Sequence, residues 1–256
     1  MANFSGRPAY LQIADDLRSR ILDGALRGGD KLPTEAEMMA DYGVSRIVVR
    51  QAIDVIRGEG LVVSQRGVGV FVRDQQPRTR RILGDLYAQR ATGSPFAAAA
   101  RASGQSPEWE YQSRQTTAPQ AIAERLGIES GADVMRTHYR FFADNQPVML
   151  STSYESLDLT RGTPVEHPEA GQVKGVVARM DSIGVHITHV IEDVQARAPR
   201  PYEAEALQVP AGVPVLYVER TYFEGQRPVE TADIIVSADR YTFSYAVPIP
   251  IRSTNR

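Results

Sequence analysis

Residues 34–73 read TEAEMMADYGVSRIVVRQAIDVIRGEGLVVSQRGVGVFVR, and the punctuation of that stretch decides the fold of the front of the chain. Thr34-Glu35-Ala36-Glu37 is a capping box: the Thr34 side chain accepts from the backbone at Glu37 and the Glu37 carboxylate reaches back, so a short helix starts there. Gly43 closes it, and Ser45 caps a further helix that runs to the next stop, Gly60. After Gly60, Leu61 to Gln65 and Gly69 to Arg73 are β-branched, apolar-rich runs on either side of Arg66-Gly67-Val68, which predicts a hairpin. Helix, turn, helix and hairpin follow one another in the order of a winged helix-turn-helix.

Upstream, Tyr10, Ile13, Leu17 and Ile21 recur at three- and four-residue spacing, an apolar stripe on a first helix that starts after Pro8 and ends at Gly24. The chain of 256 residues is 42% apolar, enough for two domains, and contains no cysteine, which removes disulfides and thiolate metal sites and fits a reducing cytoplasm. The opening MANFSGRPAYLQ lacks an apolar signal core, and no run approaches the roughly 20 apolar residues that span a bilayer, so the expectation is a cytoplasmic protein without a membrane partner. Net charge is −2, but residues 1–81 hold 13 Arg and Lys against 10 Asp and Glu, whereas residues 82–256 hold 16 against 21. The front is basic and the back acidic, the polarity expected when only one domain meets nucleic acid.

Residues 74–93 mix charge, Gly and Pro with little apolar period. The expected boundaries are a DNA-binding domain over 1–75, a linker over 76–90 and a second domain over 91–256. In the second domain strand-like runs lie near 109–117, 133–143, 147–155, 186–198, 214–224 and 228–247, with turns at Asp144-Asn145 and Gly225-Gln226. Helices fit at Pro95 to Ser103, Pro119 to Leu126, Gln172 to Ile183 and Pro201 to Leu207. The fold class is therefore α+β: a winged helix-turn-helix followed by an antiparallel sheet with helices packed on it.

At 100° per residue, Val49, Ala52, Ile53 and Ile56 share one side of the helix that begins near Ser45, and Arg46, Ile47, Arg50, Gln51 and Asp54 share the other. Arg46 and Arg50 suit bidentate contacts to guanine, and Ile47 suits a thymine methyl. In the hairpin, Arg66 beside Gly67 suits a phosphate ridge or a minor groove. A solvated basic helix face and an ordinary hairpin are the plainer alternatives.

The blocks P8-A-Y-L-Q-I-A, G29-D-K-L-P-T-E, Y42-G-V-S-R-I-V-V-R and E59-G-L-V-V-S-Q-R-G-V-G-V-F-V resemble the GntR family of bacterial regulators over residues 7–73. The resemblance implies DNA contacts by Thr34 at a helix N-terminus, by Ser45, Arg46, Ile47, Val48 and Arg50, and by Arg66 and Gly67 of the wing. Many members carry an arginine directly after the LP(S/T)E acid; here that position is Ala36. The second half resembles the UTRA effector domain of the HutC subfamily, similar in fold to chorismate lyase, on A143-D-N-Q-P-V, A198-P-R-P-Y-E-A-E-A-L, V213-P-V-L-Y-V-E-R-T-Y, R227-P-V-E and D239-R-Y-T-F. It implies a domain that binds a small-molecule effector and carries the dimer contact. A two-fold homodimer asks for an inverted-repeat operator in double-stranded DNA, and the resemblance implies half-sites of GT…AC type, with release by the effector.

Sugar-phosphate-responsive UTRA domains carry R-x-R on the strand ahead of the A-D-G turn. Here M135-R-T-H-Y-R-F-F-A-D-N places Tyr139 and Phe141 there and turns Arg136, His138 and Arg140 to the other face, so an aromatic wall stands where a phosphate clamp would be. Glu230 matches the family's acid, Val236 replaces a residue that is often Tyr, and Tyr154 and Arg197 are candidates for a polar rim. The expected effector is a moderately apolar or aromatic metabolite with a cationic or hydroxyl group for Glu230, not a sugar phosphate. An alternative is a second domain that only dimerises or binds a protein; a lyase-like enzyme is the remaining one. His186 and His189 lie three apart on a strand, on opposite faces, and cannot chelate one metal. With no phosphate loop, nucleophile elbow or dinucleotide fingerprint, no catalytic residue, metal or cofactor is expected.

Overall fold

The computed structural model of the chain describes residues 6–74, 79–82 and 94–245. The chain divides into two compact units, Met1–Pro77 with Ala198–Pro214 and Arg78–Arg197 with Val215–Arg256.

The first unit opens with helices α1 (Ala9–Leu22), α2 (Glu35–Tyr42) and α3 (Arg46–Gly58), followed by the antiparallel strands β1 (Val62–Gln65) and β2 (Gly69–Val72). The apolar stripes converge: Ile13 and Leu17 from α1, Met38 from α2, Val49, Ala52, Ile53 and Ile56 from α3, and Val62 and Val72 from the hairpin make one core. The capping box of α2 is formed, with Glu37 N donating to Thr34 Oγ1 at 3.2 Å and Thr34 N donating to Glu37 Oε2 at 2.7 Å. Gly43 closes α2 at φ 67°, the left-handed conformation that spares a Cβ clash. Ser45 occupies the N-cap position of α3, but its side chain makes no capping bond, so only its backbone plays the expected part. At the other end of α3, the Glu59 carboxylate accepts from Arg18 Nε at 2.7 Å and Nη2 at 2.5 Å, tying α1 to the helix.

The second unit is built on six antiparallel strands: β4 (Pro107–Thr117), β5 (Asp133–Ala143), β6 (Gln146–Ser156), β7 (His189–Arg197), β8 (Val215–Glu224) and β9 (Arg227–Ser237), in the order β4-β5-β6-β9-β8-β7. Asp144 and Asn145 turn the β5–β6 hairpin with φ of 50° and 62°, the pair of positive angles that matches strand twist. The expected strand over 228–247 is interrupted. β9 ends at Ser237, whose hydroxyl bonds Asp239, and β10 (Tyr241–Ser244) leaves the sheet to pair in parallel with β3 (Thr79–Ile82). β3 falls inside the stretch expected as a linker; residues 76–78 and 83–90 of that stretch lie outside the described residues.

Helices cover both faces of the sheet. On one, α5 (Gln120–Leu126) packs Ile122, Ala123 and Leu126 on Val134 and Tyr154, and its Arg125 donates to Thr231 at 2.7 Å and Asp233 at 2.6 Å. On the other, α4 (Pro95–Ala102) brings Phe96 against Phe141, while α7 (Val176–Ser182) brings Met180 against Tyr222. A single turn, α6 (Leu157–Thr160), follows β6, and α8 (Pro201–Leu207) lies in the residues that belong to the first unit. The helix expected over 172–183 begins only after Gly175, whose φ of 82° does not continue a helix.

Thr34→Ala removes the acceptor of the capping box, and the first unit is expected to lose about 1 kcal/mol, read as an earlier urea transition of the full chain.

Candidate functional site

The outward side of α3 carries the side chains expected there. Arg46, Ile47, Arg50, Gln51 and Asp54 are exposed while Val49, Ala52, Ile53 and Ile56 are buried. Ile47 is 70% exposed. Both arginines converge on one acid, Glu35, with Arg50 Nε at 2.8 Å from Oε1 and Arg46 Nε at 3.5 Å from Oε2. The hydrogen bond from Arg50 holds the Glu35 carboxyl below its ordinary range. Glu35 escaped the sequence reading because it lies on α2, and only the crossing of α2 and α3 brings it to the arginines. Ser45 is exposed at the start of this face; Val48 is half-buried and packs on the core. At the hairpin tip, Arg66 and Gly67 are exposed, and the space where a Cβ of Gly67 would sit has nothing within 4 Å. Thr34 is already engaged: its N–H and its hydroxyl both donate to Glu37 Oε2.

The sheet face under α4 and α7 lines a partly open cavity. Strand alternation and register explain its shape. Ser151 and Ser153 of β6 sit mid-sheet on this face, Ala232 of β9 lies across from Ser153, and these small side chains leave a hollow. Around it stand Trp109, Tyr139, Phe141, Phe96 and Tyr222. Tyr139 and Phe141 are stacked with ring centroids 5.4 Å apart, and Phe96 lies 4.8 Å from Phe141. At one end the wall is charged. Glu155 of β6 and Glu230 of β9 are cross-strand neighbours. Glu155 accepts two bonds from Arg179 of α7, at 2.7 and 2.9 Å, and Arg179 also donates to the Val165 carbonyl at 2.5 Å.

Glu230 is fully buried, and neither of its oxygens has a hydrogen bond. Arg220 Nη2 stands 3.5 Å from Oε1, close enough for charge attraction without a well-formed bond. Burial pushes the Glu230 carboxyl up to about 7, against the pull of Arg220 and with a push from Glu155. Tyr139 donates to Glu169 at 3.2 Å, and burial holds its phenol well above the ordinary range. Glu169 also faces Lys174 at 3.4 Å.

Two family profiles match this architecture: the gntR family of bacterial regulatory proteins over residues 9–72, and the UTRA domain over residues 102–242. A solved structure of a GntR-family transcriptional regulator is 41% identical, covers 95% of this chain and 99% of its own, and superposes with a TM-score of 0.77. The chain belongs to the GntR family. It is a DNA-binding transcription regulator with a winged helix-turn-helix and a UTRA domain. Among its curated relatives, the HTH-type transcriptional regulator Rv0792c of Mycobacterium tuberculosis is 30% identical over 94% of this chain and 86% of its own length. The HTH-type transcriptional repressor NagR of Bacillus subtilis is 27% identical over 92% and 93%.

Within the UTRA domain, Tyr139, Phe141 and Glu230 come together in the cavity, and three other expected residues do not. Tyr154 follows Ser153 on β6, so alternation sends it to the face under α5. Arg197 closes β7 on that same side of the sheet and lies over the Tyr217 ring at 5.1 Å. Val236 shares the cavity face but is fully buried in the core with Met149. Conversely, Glu155, Glu169, Lys174, Arg179 and Arg220 line the cavity and were not expected. The legible signal was Glu155: it sits in a strand that is otherwise apolar or small on its inner face, where an acid needs a partner. His138, Arg136 and Arg140 turn away as expected; His138 meets Thr152 at 2.8 Å and Arg140 lies over Phe142. His186 faces Asp181 and His189 stacks on Phe223, and among the described residues no cluster of His, Asp and Glu is placed to hold a metal. No described helix is long and apolar enough to cross a membrane.

The folded Glu230 carboxyl holds its proton above the ordinary carboxylate range, so the folded state binds more protons between about pH 5 and pH 7. Its contribution to stability is greatest at acidic pH and is lost as pH rises through about 7. Glu230→Gln removes that loss: the melting temperature of the variant is expected to exceed that of the wild type by a margin that widens from about pH 5 to about pH 8.

Proposed function

We propose that the chain is a repressor that binds an inverted-repeat operator as a homodimer and leaves it when a small molecule fills the UTRA cavity. The observation that carries the reading is the buried Glu230 carboxylate without a hydrogen bond, facing a space walled by aromatic rings. Buried polar groups are nearly always paired, and one left without a partner at a cavity marks a place where something else supplies it. That the relative NagR is a repressor supports repression as the direction of control.

On this reading the winged helix-turn-helix of residues 1–75 binds DNA, residues 76–90 link, and residues 91–256 bind the effector and dimerise. Arg46 and Arg50 read guanine edges, Ile47 meets a thymine methyl, Ser45 and Val48 border the same groove, and Arg66 and Gly67 follow the backbone. Glu35 keeps the two arginines aligned in free protein, so DNA competes for groups that are already oriented. Thr34 caps the first turn of α2 and contacts the DNA backbone at that helix N-terminus. The protein acts in the cytoplasm without catalysis or cofactor. Effector binding is felt at the operator by as much as its affinity differs between the free and DNA-bound states.

Two measurements test the reading. Arg46→Ala and Arg50→Ala should each weaken operator binding by about 1–3 kcal/mol with the fold and dimer intact, and Arg66→Ala should weaken all sequences alike and flatten the salt dependence. Wild-type affinity in all three variants, in a titration at moderate salt, contradicts the assignment. In a metabolite screen, the effector should raise the melting temperature and release labelled operator; at 100-fold over its dissociation constant it adds about 2.7 kcal/mol. Stabilisation without operator release would show a cavity uncoupled from DNA binding.

A further inference from the structure

The effector reading leaves the chemical class of the ligand open, and the charges lining the cavity narrow it. There are three cations and three carboxylates, and they are not equally engaged. Arg179 gives two bonds to Glu155 and one to the Val165 carbonyl, leaving only Nε–H without a partner. Lys174 donates to the Glu169 backbone carbonyl at 2.6 Å and faces its carboxylate at 3.4 Å. Arg220 lies over the Tyr222 ring at 4.8 Å and beside Glu230 at 3.5 Å. The tyrosine hydroxyl of Tyr139 is committed to Glu169. Set against these, both oxygens of Glu230 are buried and bare of hydrogen bonds.

The position of Glu230 adds an electrostatic reason. It stands directly across from Glu155 on the neighbouring strand, two carboxylates side by side on one sheet face. Arg179 spends its two outer nitrogens on Glu155, so Arg220, 3.5 Å away, is the near counter-ion left to Glu230. An anionic ligand at this end would place a third negative group beside Glu155 and Glu230. A cation supplies hydrogen-bond donors to the bare oxygens of Glu230, and the rings of Tyr222, Tyr139, Phe141 and Trp109 offer it apolar walls with negative faces.

We propose that the cavity is selective for a small organic cation, a primary ammonium or amidinium on an apolar or aromatic body, with Glu230 as its counter-ion, and that it discriminates against carboxylates and phosphates. This rests on the effector reading and deepens it.

The groups facing Glu230 are Arg220 and Tyr222 from β8, Glu155 from β6 and Arg179 from α7. Since the Glu230 carboxyl holds its proton up to about 7, a cation has to displace that proton in acid. Its affinity should therefore fall roughly tenfold between about pH 8 and about pH 6. A neutral ligand that accepts from protonated Glu230 shows the reverse.

The test uses the full-length dimer or monomer as purified and three probes with one carbon body: phenethylamine, 2-phenylethanol and 3-phenylpropionate. Thermal shift and calorimetry are expected to rank the amine first, with affinity rising with pH. Glu230→Gln is expected to lower amine affinity roughly 10- to 100-fold, the worth of a charge-assisted hydrogen bond, and to abolish the pH dependence. Since glutamine keeps the shape, its melting temperature at about pH 8, equal to or above wild type, shows that the variant is folded. A preference for the carboxylate or the alcohol overturns the cation assignment while leaving a ligand cavity in place. Amine binding unchanged in Glu230→Gln overturns it too. Silence from all three probes also overturns it, and the operator-release screen then decides separately whether the effector reading survives.

Discussion

A β-strand turns alternate side chains to opposite faces, and in the UTRA domain that constraint decides almost everything about the cavity. Once β5, β6, β9 and β8 are paired in register, Tyr139, Ser153, Glu155, Glu230 and Arg220 must share one face, and Arg136, Tyr154 and Asp233 must share the other. The cavity face combines small residues in the middle with aromatic and charged ones around them, so helices laid over it cannot fill it. The opposite face carries Val134 and Tyr154, with Arg125 of α5 bonded to Thr231 and Asp233, and closes into ordinary core.

The Glu155–Arg179 pair stands at the point where sheet and α7 meet. Both side chains are nearly fully buried, at 2% and 3% exposure, and their bonds are bidentate. Desolvating two such ions is costly, and the pair is tolerable only because its geometry returns most of that cost. Its consequence for the neighbouring Glu230 is larger than its own contribution. By using up Arg179 it leaves a second acid in the same row with Arg220 as its near counter-ion, and so sets the electrostatic character of the cavity.

The DNA-binding unit follows a different logic, in which function sits on what the core does not need. α3 spends Val49, Ala52, Ile53 and Ile56 on packing, and the remaining face is free to carry Arg46, Ile47 and Arg50. Glu35, supplied by the start of α2, draws both arginines to one side. The exposed pair is thereby ordered at little energetic cost, since surface ion pairs are worth only fractions of a kcal/mol but restrict rotamers all the same.

Local sequence was enough for the winged helix-turn-helix, because every boundary there is written in nearby chemistry: the capping box at Thr34, glycine at 43 and 60, the apolar stripe of α3. Period-two alternation from the turn at Asp144-Asn145 was also enough to set Tyr139 and Phe141 on one face and Arg140 on the other, and the resemblance to UTRA domains named the first as the inner face. Local sequence was insufficient for Tyr154 and Arg197, whose strands were found without the parity that the neighbouring register imposes, and for the break at Ser237, where a side-chain bond to Asp239 ends a run that is apolar enough to continue. Of the charged lining only Glu230 was named from the sequence, through the resemblance to UTRA domains; its charged neighbours were not. Glu155, Arg179, Arg220 and Glu230 come from four separate elements, and no spacing along the chain encodes their meeting. Sequence determined which elements form and which way most of them face. Tertiary structure alone decided which charges share a buried space, because electrostatic partners are chosen by distance in the fold, not by distance along the chain.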